Sequence, residues 1–168
     1  VAINKADDMV ASVGKKRLKI WNIRSQKCII SAEINYGLCV AFIPGDTHVL
    51  VGTKKGTLSL FSLSTGDCVQ EVLDAHDGSI WSIDIKPDGM GFCSGGADHQ
   101  VKFWKFGVTK ETKEPRFKAS RTLQLADDVL SVKYSHTQDS QKLLVCAALL
   151  DSTVKVFFDD SLKFFLSL

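Results

Sequence analysis

No run of apolar residues in this 168-residue sequence is long enough to cross a bilayer as a helix. The longest, Leu143 to Leu150, falls far short of the ~20 residues a spanning helix needs, and reads better as a strand buried on both faces. No Cys-x-x-Cys spacing occurs among the five cysteines, Cys28, Cys39, Cys68, Cys93 and Cys146, so neither a zinc site nor a disulfide framework is indicated. Their odd number and their scatter through apolar segments predict buried, reduced thiols, which suit a cytosolic or nuclear compartment. The net charge of +2 is too small to mark a nucleic-acid binder by composition alone. No initiating Met and no charged-then-apolar leader occurs, so the expectation is an internal segment of a longer chain.

What is present is a repeat. Between Asp74 and Phe106, three alternating strands are predicted at Ser79–Ile85, Met90–Ser94 and Gln100–Phe106, separated by Pro87-Asp-Gly89 and Gly95-Gly-Ala-Asp-His99. Aligning on Val101-Lys-Phe-Trp104 brings three companions into register: Leu18-Lys-Ile-Trp21, Leu58-Ser-Leu-Phe61 and Val154-Lys-Val-Phe157. The anchors at 21, 61, 104 and 157 are 40, 43 and 53 residues apart. The first two intervals fit the roughly 40–45-residue period of a four-stranded unit, and the third requires an insertion. Cys28 and Cys68 each fall seven residues after their anchor, and Pro44 and Pro87 each end a strand at a turn.

The stretch holding His76, Ser94, Asp98 and Trp104 resembles one complete WD repeat, with Ala75-His76 for the usual Gly-His and Lys105 where Asp usually follows the tryptophan. The resemblance implies an all-β WD-repeat β-propeller. Its four-stranded blades are expected over about residues 1–33, 37–73, 76–126 and 129–168, with a charged loop insertion at 107–120. One blade cannot bury both faces of its sheet alone, so four blades are expected to belong to a larger, seven-bladed ring; a closed ring of four is the alternative.

His76, Ser94 and Asp98 are also the residue types of a hydrolase triad. The local run Phe92-Cys-Ser-Gly-Gly96 lacks the first glycine of G-x-S-x-G, however, and a strand follows it rather than a helix. A structural tetrad fits better. Asp98 can accept hydrogen bonds from the Trp104 indole and from His76, which can in turn bond Ser94. WD-repeat resemblance assigns these four residues the same structural roles. At the positions of Ser94, Asp98 and Trp104, the first blade carries Ala11, Lys15 and Trp21, the second Val51, Lys55 and Phe61, and the fourth Ala147, Asp151 and Phe157. The full network is therefore expected in the third blade alone. Gly52-Thr-Lys-Lys-Gly-Thr57 fails as a phosphate loop, because its lysines precede the second glycine and a strand follows.

Lys15, Lys16, Arg17, Lys54 and Lys55 occupy the same hairpin turn in adjacent blades. They are the candidate contact for an RNA backbone or an acidic partner segment, against a reading as solvated turn tips. The insertion at 107–120 is expected to be a mobile solvated loop, or else a docking element anchored by Phe117.

A closer resemblance covers most of the chain after Val49. It is carried by Leu73-Asp-Ala-His-Asp-Gly-Ser-Ile-Trp81, the Gly95–Trp104 core, Arg121-Thr-Leu-Gln-Leu125, and Leu150–Phe157 followed by Ser161-Leu-Lys-Phe-Phe-Leu-Ser-Leu168. These runs resemble the WD repeat-containing protein 3 family, nucleolar subunits of the small-subunit processome. The resemblance implies a non-enzymatic scaffold in ribosome biogenesis, small-subunit assembly and pre-rRNA processing. It implies a nucleolar location, and as partners other WD-repeat subunits, pre-ribosomal RNA or the small nucleolar ribonucleoprotein. No catalytic residue, metal, cofactor, membrane or small-molecule substrate is expected. The alternative is a generic WD-repeat adaptor, a substrate receptor or signalling scaffold, in another complex.

Overall fold

The computed structural model describes residues 1–110, 114–136 and 143–167, and every described element is a strand. The chain divides into two compact units, Val1–Ile80 and Trp81–Leu168. Four four-stranded antiparallel meanders are formed, the blade unit of a WD-repeat propeller. The first is β1 (Ala2–Ile3), β2 (Met9–Val13), β3 (Arg17–Asn22) and β4 (Lys27–Glu33). The second is β5 (Gly37–Phe42), β6 (His48–Thr53), β7 (Leu58–Ser62) and β8 (Cys68–Val72). The third is β9 (Ile80–Ile85), β10 (Gly91–Gly96), β11 (Gln100–Val108) and β12 (Pro115–Gln124). The fourth is β13 (Val129–Tyr134), β14 (Leu144–Leu149), β15 (Val154–Phe158) and β16 (Phe164–Ser167).

Each unit buries one sheet against the next. In the first, Ala11, Leu18 and Ile20 meet Val40, Phe42, Val49, Val51 and Phe61. In the second, Cys93, Val101 and Phe103 pack with Val132, Val145, Ala147 and Phe157. Alternation along the strands makes this possible, since every second residue of a strand faces the neighbouring sheet.

One irregularity recurs in all four sheets. The register between the third and fourth strands slips just before the anchor aromatic, at Ile20/Trp21, Leu60/Phe61, Phe103/Trp104 and Val156/Phe157. Each slip leaves one extra residue on the outer strand: Ile29, Val69, Ser120 and Phe165. A bulge bends the strand and re-aims the inserted side chain, and Ile29 and Phe165 are correspondingly exposed. Cys28 and Cys68 are the residues opposite Trp21 and Phe61, which is why they share a column in the sequence.

Three expectations are corrected. The described part of 107–120 is mostly strand and not a solvated loop. β11 runs on through Val108 and β12 begins at Pro115, so the insertion lengthens a hairpin; residues 111–113 lie outside the described part. Apolar Phe106, Val108, Phe117 and Ala119 alternate with polar or small neighbours, the two-residue period of a strand. Phe117 is buried, in edge contact with Phe92 at 5.4 Å and Trp104 at 5.6 Å between ring centroids, so it is a core residue and not a docking anchor. β14 is fully buried on one face only, the other being half-buried. Of the cysteines only Cys93 is fully buried; Cys39 and Cys146 are half-buried, with the Cys39 thiol in the interior, and Cys28 and Cys68 lie exposed on outer strands. Burial pushes the Cys39 thiol up to about 12, a cost offset in part by its backbone hydrogen bond with Gly52.

Candidate partner interface

In the first unit, the β2–β3 turn carries Lys15 and Lys16 beside Arg17, and the β6–β7 turn carries Lys54 and Lys55, all five exposed. The linker from β4 to β5 lies between these turns and joins them by backbone. Ile34 N–H donates to the Lys16 carbonyl (3.1 Å) and Gly37 N–H to the Gly14 carbonyl (3.0 Å). On the other side Lys54 N–H donates to the Tyr36 carbonyl (2.7 Å). The two turns therefore flank a single ridge. On it Tyr36 is exposed and holds the Lys54 ammonium 5.7 Å from its ring centroid, a cation–π contact. Arg17 pairs with Glu33 at 3.4 Å, both well exposed, a contact worth little in water. The four lysines carry the ridge's outward charge.

Beneath the second turn the backbone is fixed. Gly56, at φ 80°, accepts from His76 N–H at 3.1 Å, and the Ser79 hydroxyl donates to the Lys54 carbonyl at 3.2 Å. An L-residue rarely adopts that φ, and a Cβ at Gly56 would stand 1.9 Å from the His76 carbonyl oxygen.

His76 belongs to the first unit and Ser94, Asp98 and Trp104 to the second. His76 and Ser94 are buried, at 2% and 0% exposure. The indole N–H of Trp104, expected on Asp98, donates to Ser94 Oγ at 2.9 Å. Asp98 also braces its own turn, accepting from Gln100 N–H (3.3 Å) and lying 3.8 Å from the Lys102 ammonium. A fully buried hydroxyl that accepts an indole N–H cannot serve as an exposed nucleophile, which removes the hydrolase reading of Ser94.

The first sheet repeats the arrangement. Trp21 donates its indole N–H to Ser12 Oγ at 3.1 Å. Ser12 pairs Lys19 across the ladder as Ser94 pairs Lys102, each two residues before the tryptophan. Ser12, and not Ala11, is therefore the counterpart of Ser94, because the β2–β3 hairpin is one residue shorter than β10–β11. In the fourth sheet Asp151 caps its turn, accepting from the Thr153 hydroxyl (2.7 Å) and N–H (2.9 Å), contacts that hold its carboxyl below the ordinary aspartate range.

A further cluster in the second unit has no counterpart in the sequence reading. Asp159, 5% exposed, receives Arg121 at 3.1 Å, Lys86 at 3.1 Å and the Tyr134 hydroxyl at 3.5 Å. Arg121 also donates to the Asp160 carbonyl (2.9 Å) and lies 5.0 Å from the Phe103 ring centroid. Burial, reinforced by the nearby negative groups, pushes both the Tyr134 hydroxyl and the Cys93 thiol upward. Elsewhere in this unit His99, Asp127 and Asp128 bring ligand-type atoms within 4.8 Å of one another; they are partly exposed, and His99 Nε2 already meets Asp128 at 3.2 Å.

Four-stranded meanders with a repeated anchor aromatic and an indole–hydroxyl lock define a WD-repeat propeller segment. The whole chain, residues 1–168, matches the family described as the WDR3 second beta-propeller domain, and it belongs to that family. Human WD repeat-containing protein 3 is 48% identical over 163 residues, covering 95% of this chain and 17% of the human protein. The Dictyostelium discoideum WD repeat-containing protein 3 homolog is 42% identical, covering all of this chain and 18% of that protein. U3 small nucleolar RNA-associated protein 12 of Saccharomyces cerevisiae is 43% identical, covering 99% and 18%. The chain thus spans under a fifth of the length of these relatives.

Proposed function

We propose that this chain is a non-enzymatic scaffold segment in ribosome biogenesis, acting in the nucleolus within the small-subunit processome during pre-rRNA processing. The observation that carries the reading is the near-full-chain similarity to a protein named for association with U3 small nucleolar RNA. The ridge formed by Lys15, Lys16, Arg17, Lys54 and Lys55, with Tyr36 between its turns, supplies charge and an exposed ring suited to a phosphate backbone. Other WD-repeat subunits and the small nucleolar ribonucleoprotein are its partners, with pre-ribosomal RNA met through this ridge.

The test is crosslinking and affinity purification of the intact protein from nucleolar extract, wild type against a variant with all five cations changed to Ala. Recovery of pre-rRNA and U3 RNA with the wild type, and weaker, less salt-dependent RNA recovery with the variant, supports the proposal. Equal RNA crosslinking by the two proteins removes the ridge from it. Recovery of an unrelated assembly without ribosomal RNA replaces the scaffold reading with that of a general adaptor.

A further inference from the structure

The β11–β12 hairpin carries its charge on one face. Phe103, Lys105 and Gly107 alternate along β11, and their partners across the ladder are Arg121, Lys118 and Arg116. The two-residue period of a strand puts all six on the same side of the hairpin. At one end the fourth sheet covers this side: Phe103 meets the Phe157 ring edge-on, 6.2 Å between centroids, and Arg121 meets Asp159. Toward the hairpin tip Lys105 and Lys118 stand exposed and directly opposite each other. Ammonium groups so placed repel, a cost that an anion held between them reverses.

Two cavities of about 250 and 230 Å³ adjoin this face, and Lys86, Lys105, Arg116, Lys118 and Arg121 bring five cations to their walls. Three carboxylates answer them. Asp88 and Asp159 each lie 3.1 Å from Lys86, Asp159 also 3.1 Å from Arg121, and Glu114 3.5 Å from Arg116. The two cations left over are Lys105 and Lys118; among the described residues neither meets a carboxylate. Lys105 lines both cavities, so the uncompensated charge sits between them. The larger cavity has a buried end at Asp159 and Tyr134 and an open one at Met90, which is 66% exposed. Phe103 and Phe106 give it an apolar wall, and Ser120, the bulge residue of β12, lines it beside Arg121. A cavity of about 150 Å³ already holds a benzene ring, so this one has room for a large side chain.

We propose that Lys105 and Lys118 bind a phosphate monoester on a partner protein, a phosphoserine or phosphothreonine, with the apolar residue beside it seated in the larger cavity. Charge decides the group. A phosphate monoester carries close to two negative charges at pH 7 and three acceptor oxygens, which matches two uncompensated ammonium groups. A carboxylate brings one charge and leaves one lysine unanswered. Residues directly opposed across a ladder have Cβ atoms about 5 Å apart, so two long side chains reach one phosphate together. A protein segment is favoured over RNA because each backbone phosphodiester carries a single charge, and because the cavity beside the lysines accepts a side chain. This inference goes beyond the scaffold reading and does not depend on the ridge of the first unit.

The experiment is fluorescence anisotropy of the intact protein with a labelled ten-residue peptide, one phosphoserine followed by Phe in a Gly-Ser background. Comparison probes are the same peptide without its phosphate and a uridine decamer. Saturable binding of the phosphopeptide, weakened about tenfold or more both by loss of the phosphate and by Lys105→Gln/Lys118→Gln, supports the proposal. Absence of binding at about 1 mM peptide overturns it. Equal affinity for the unphosphorylated peptide also overturns it, as does phosphopeptide binding that the double variant leaves unchanged, which puts the phosphate on other cations. If the double variant loses uridine-decamer binding and keeps that of the phosphopeptide, the face belongs to RNA and the proposal fails. The variant with the five ridge cations changed to Ala should bind the phosphopeptide as wild type does, so that failure of the ridge and failure of this site are read apart. The unphosphorylated probe tests the site on unaltered protein, whatever the double variant does.

Discussion

Trp104 and Ser94 are joined by a buried hydrogen bond of 2.9 Å from the indole N–H to the hydroxyl oxygen. Phe92 stacks on the same indole, ring centroids 5.8 Å apart, and Phe117 closes its other side edge-on. The bond thus ties the middle of β10 to the middle of β11 inside an aromatic cluster that excludes water. The lock in the first sheet, Trp21 to Ser12, has the same geometry with both residues half-buried.

That difference in burial sets an order of stability. Ser94→Ala strands an indole N–H where water cannot reach it and should cost about 1–3 kcal/mol. Ser12→Ala leaves a group that water can solvate, and should cost about 1 kcal/mol or less. Urea unfolding of the two variants checks this, and equal losses would mean that burial is not what decides the strength of the lock.

The period of the fold was readable because each anchor aromatic, Trp21, Phe61, Trp104 and Phe157, ends the same four-residue pattern on the third strand of its sheet. What misled the sequence reading was spacing. Counting back from Trp21 by the interval of the third blade lands on Ala11, whereas the shorter hairpin puts Ser12 there. The segment 107–120 reads as loop because Thr, Lys and Glu dominate its middle; only the cross-strand pairing of Phe106 with Phe117 and of Val108 with Pro115 makes it a ladder. The cluster around Asp159 was invisible for a different reason. Its members Lys86, Arg121 and Tyr134 come from separate strands or turns far apart in sequence, and no local pattern marks residues that meet only when sheets stack.

The Asp159 cluster should give the protein an alkaline limit. Burial alone would lower the Lys86 ammonium, but hydrogen bonds and charge from Asp88 and Asp159 outweigh it and raise it above 10.5. A group raised in the folded state stabilises fully below its unfolded value and loses that contribution as pH rises through the higher folded one. Lys86→Gln should therefore lose stability at pH 7 and flatten the decline above pH 10.5, as read by melting temperature against pH. Asp159→Asn should cost more at neutral pH, about 2 kcal/mol, because two cations lose their shared carboxylate at a buried position. A variant pair with the opposite ranking would mean that Asp88, not Asp159, holds Lys86.

The two basic turns differ in what they tolerate. Gly56 has φ 80°, and a Cβ there would fall 1.9 Å from the His76 carbonyl oxygen and 2.8 Å from that of Gly78. Backbone cannot yield as a side-chain tip can, so Gly56→Ala should cost about 3 kcal/mol or more. At Gly14, in the matching turn, a Cβ meets nothing within 4 Å, and Gly14→Ala should stay within about 0.5 kcal/mol of wild type. Thermal melts of the two single variants decide the matter; a tolerated Gly56→Ala would show that the β6–β7 turn can move away from His76.

The facing lysines of the β11–β12 hairpin make a prediction that needs no partner. Lys105 and Lys118 are directly opposed across the ladder, so changing either one to Glu replaces a repulsion with an attraction. Cross-strand charge pairs of this kind are worth about 0.2–1 kcal/mol. Lys118→Glu and Lys105→Glu should each raise the melting temperature, by about 1–4 °C for a chain of this size. The double variant restores like charges and should return close to wild type, so the two single gains cancel rather than add. A double-mutant cycle read by thermal or urea unfolding gives the coupling directly. If the single variants lower stability, or if the double variant gains from both, the lysines do not repel each other in solution.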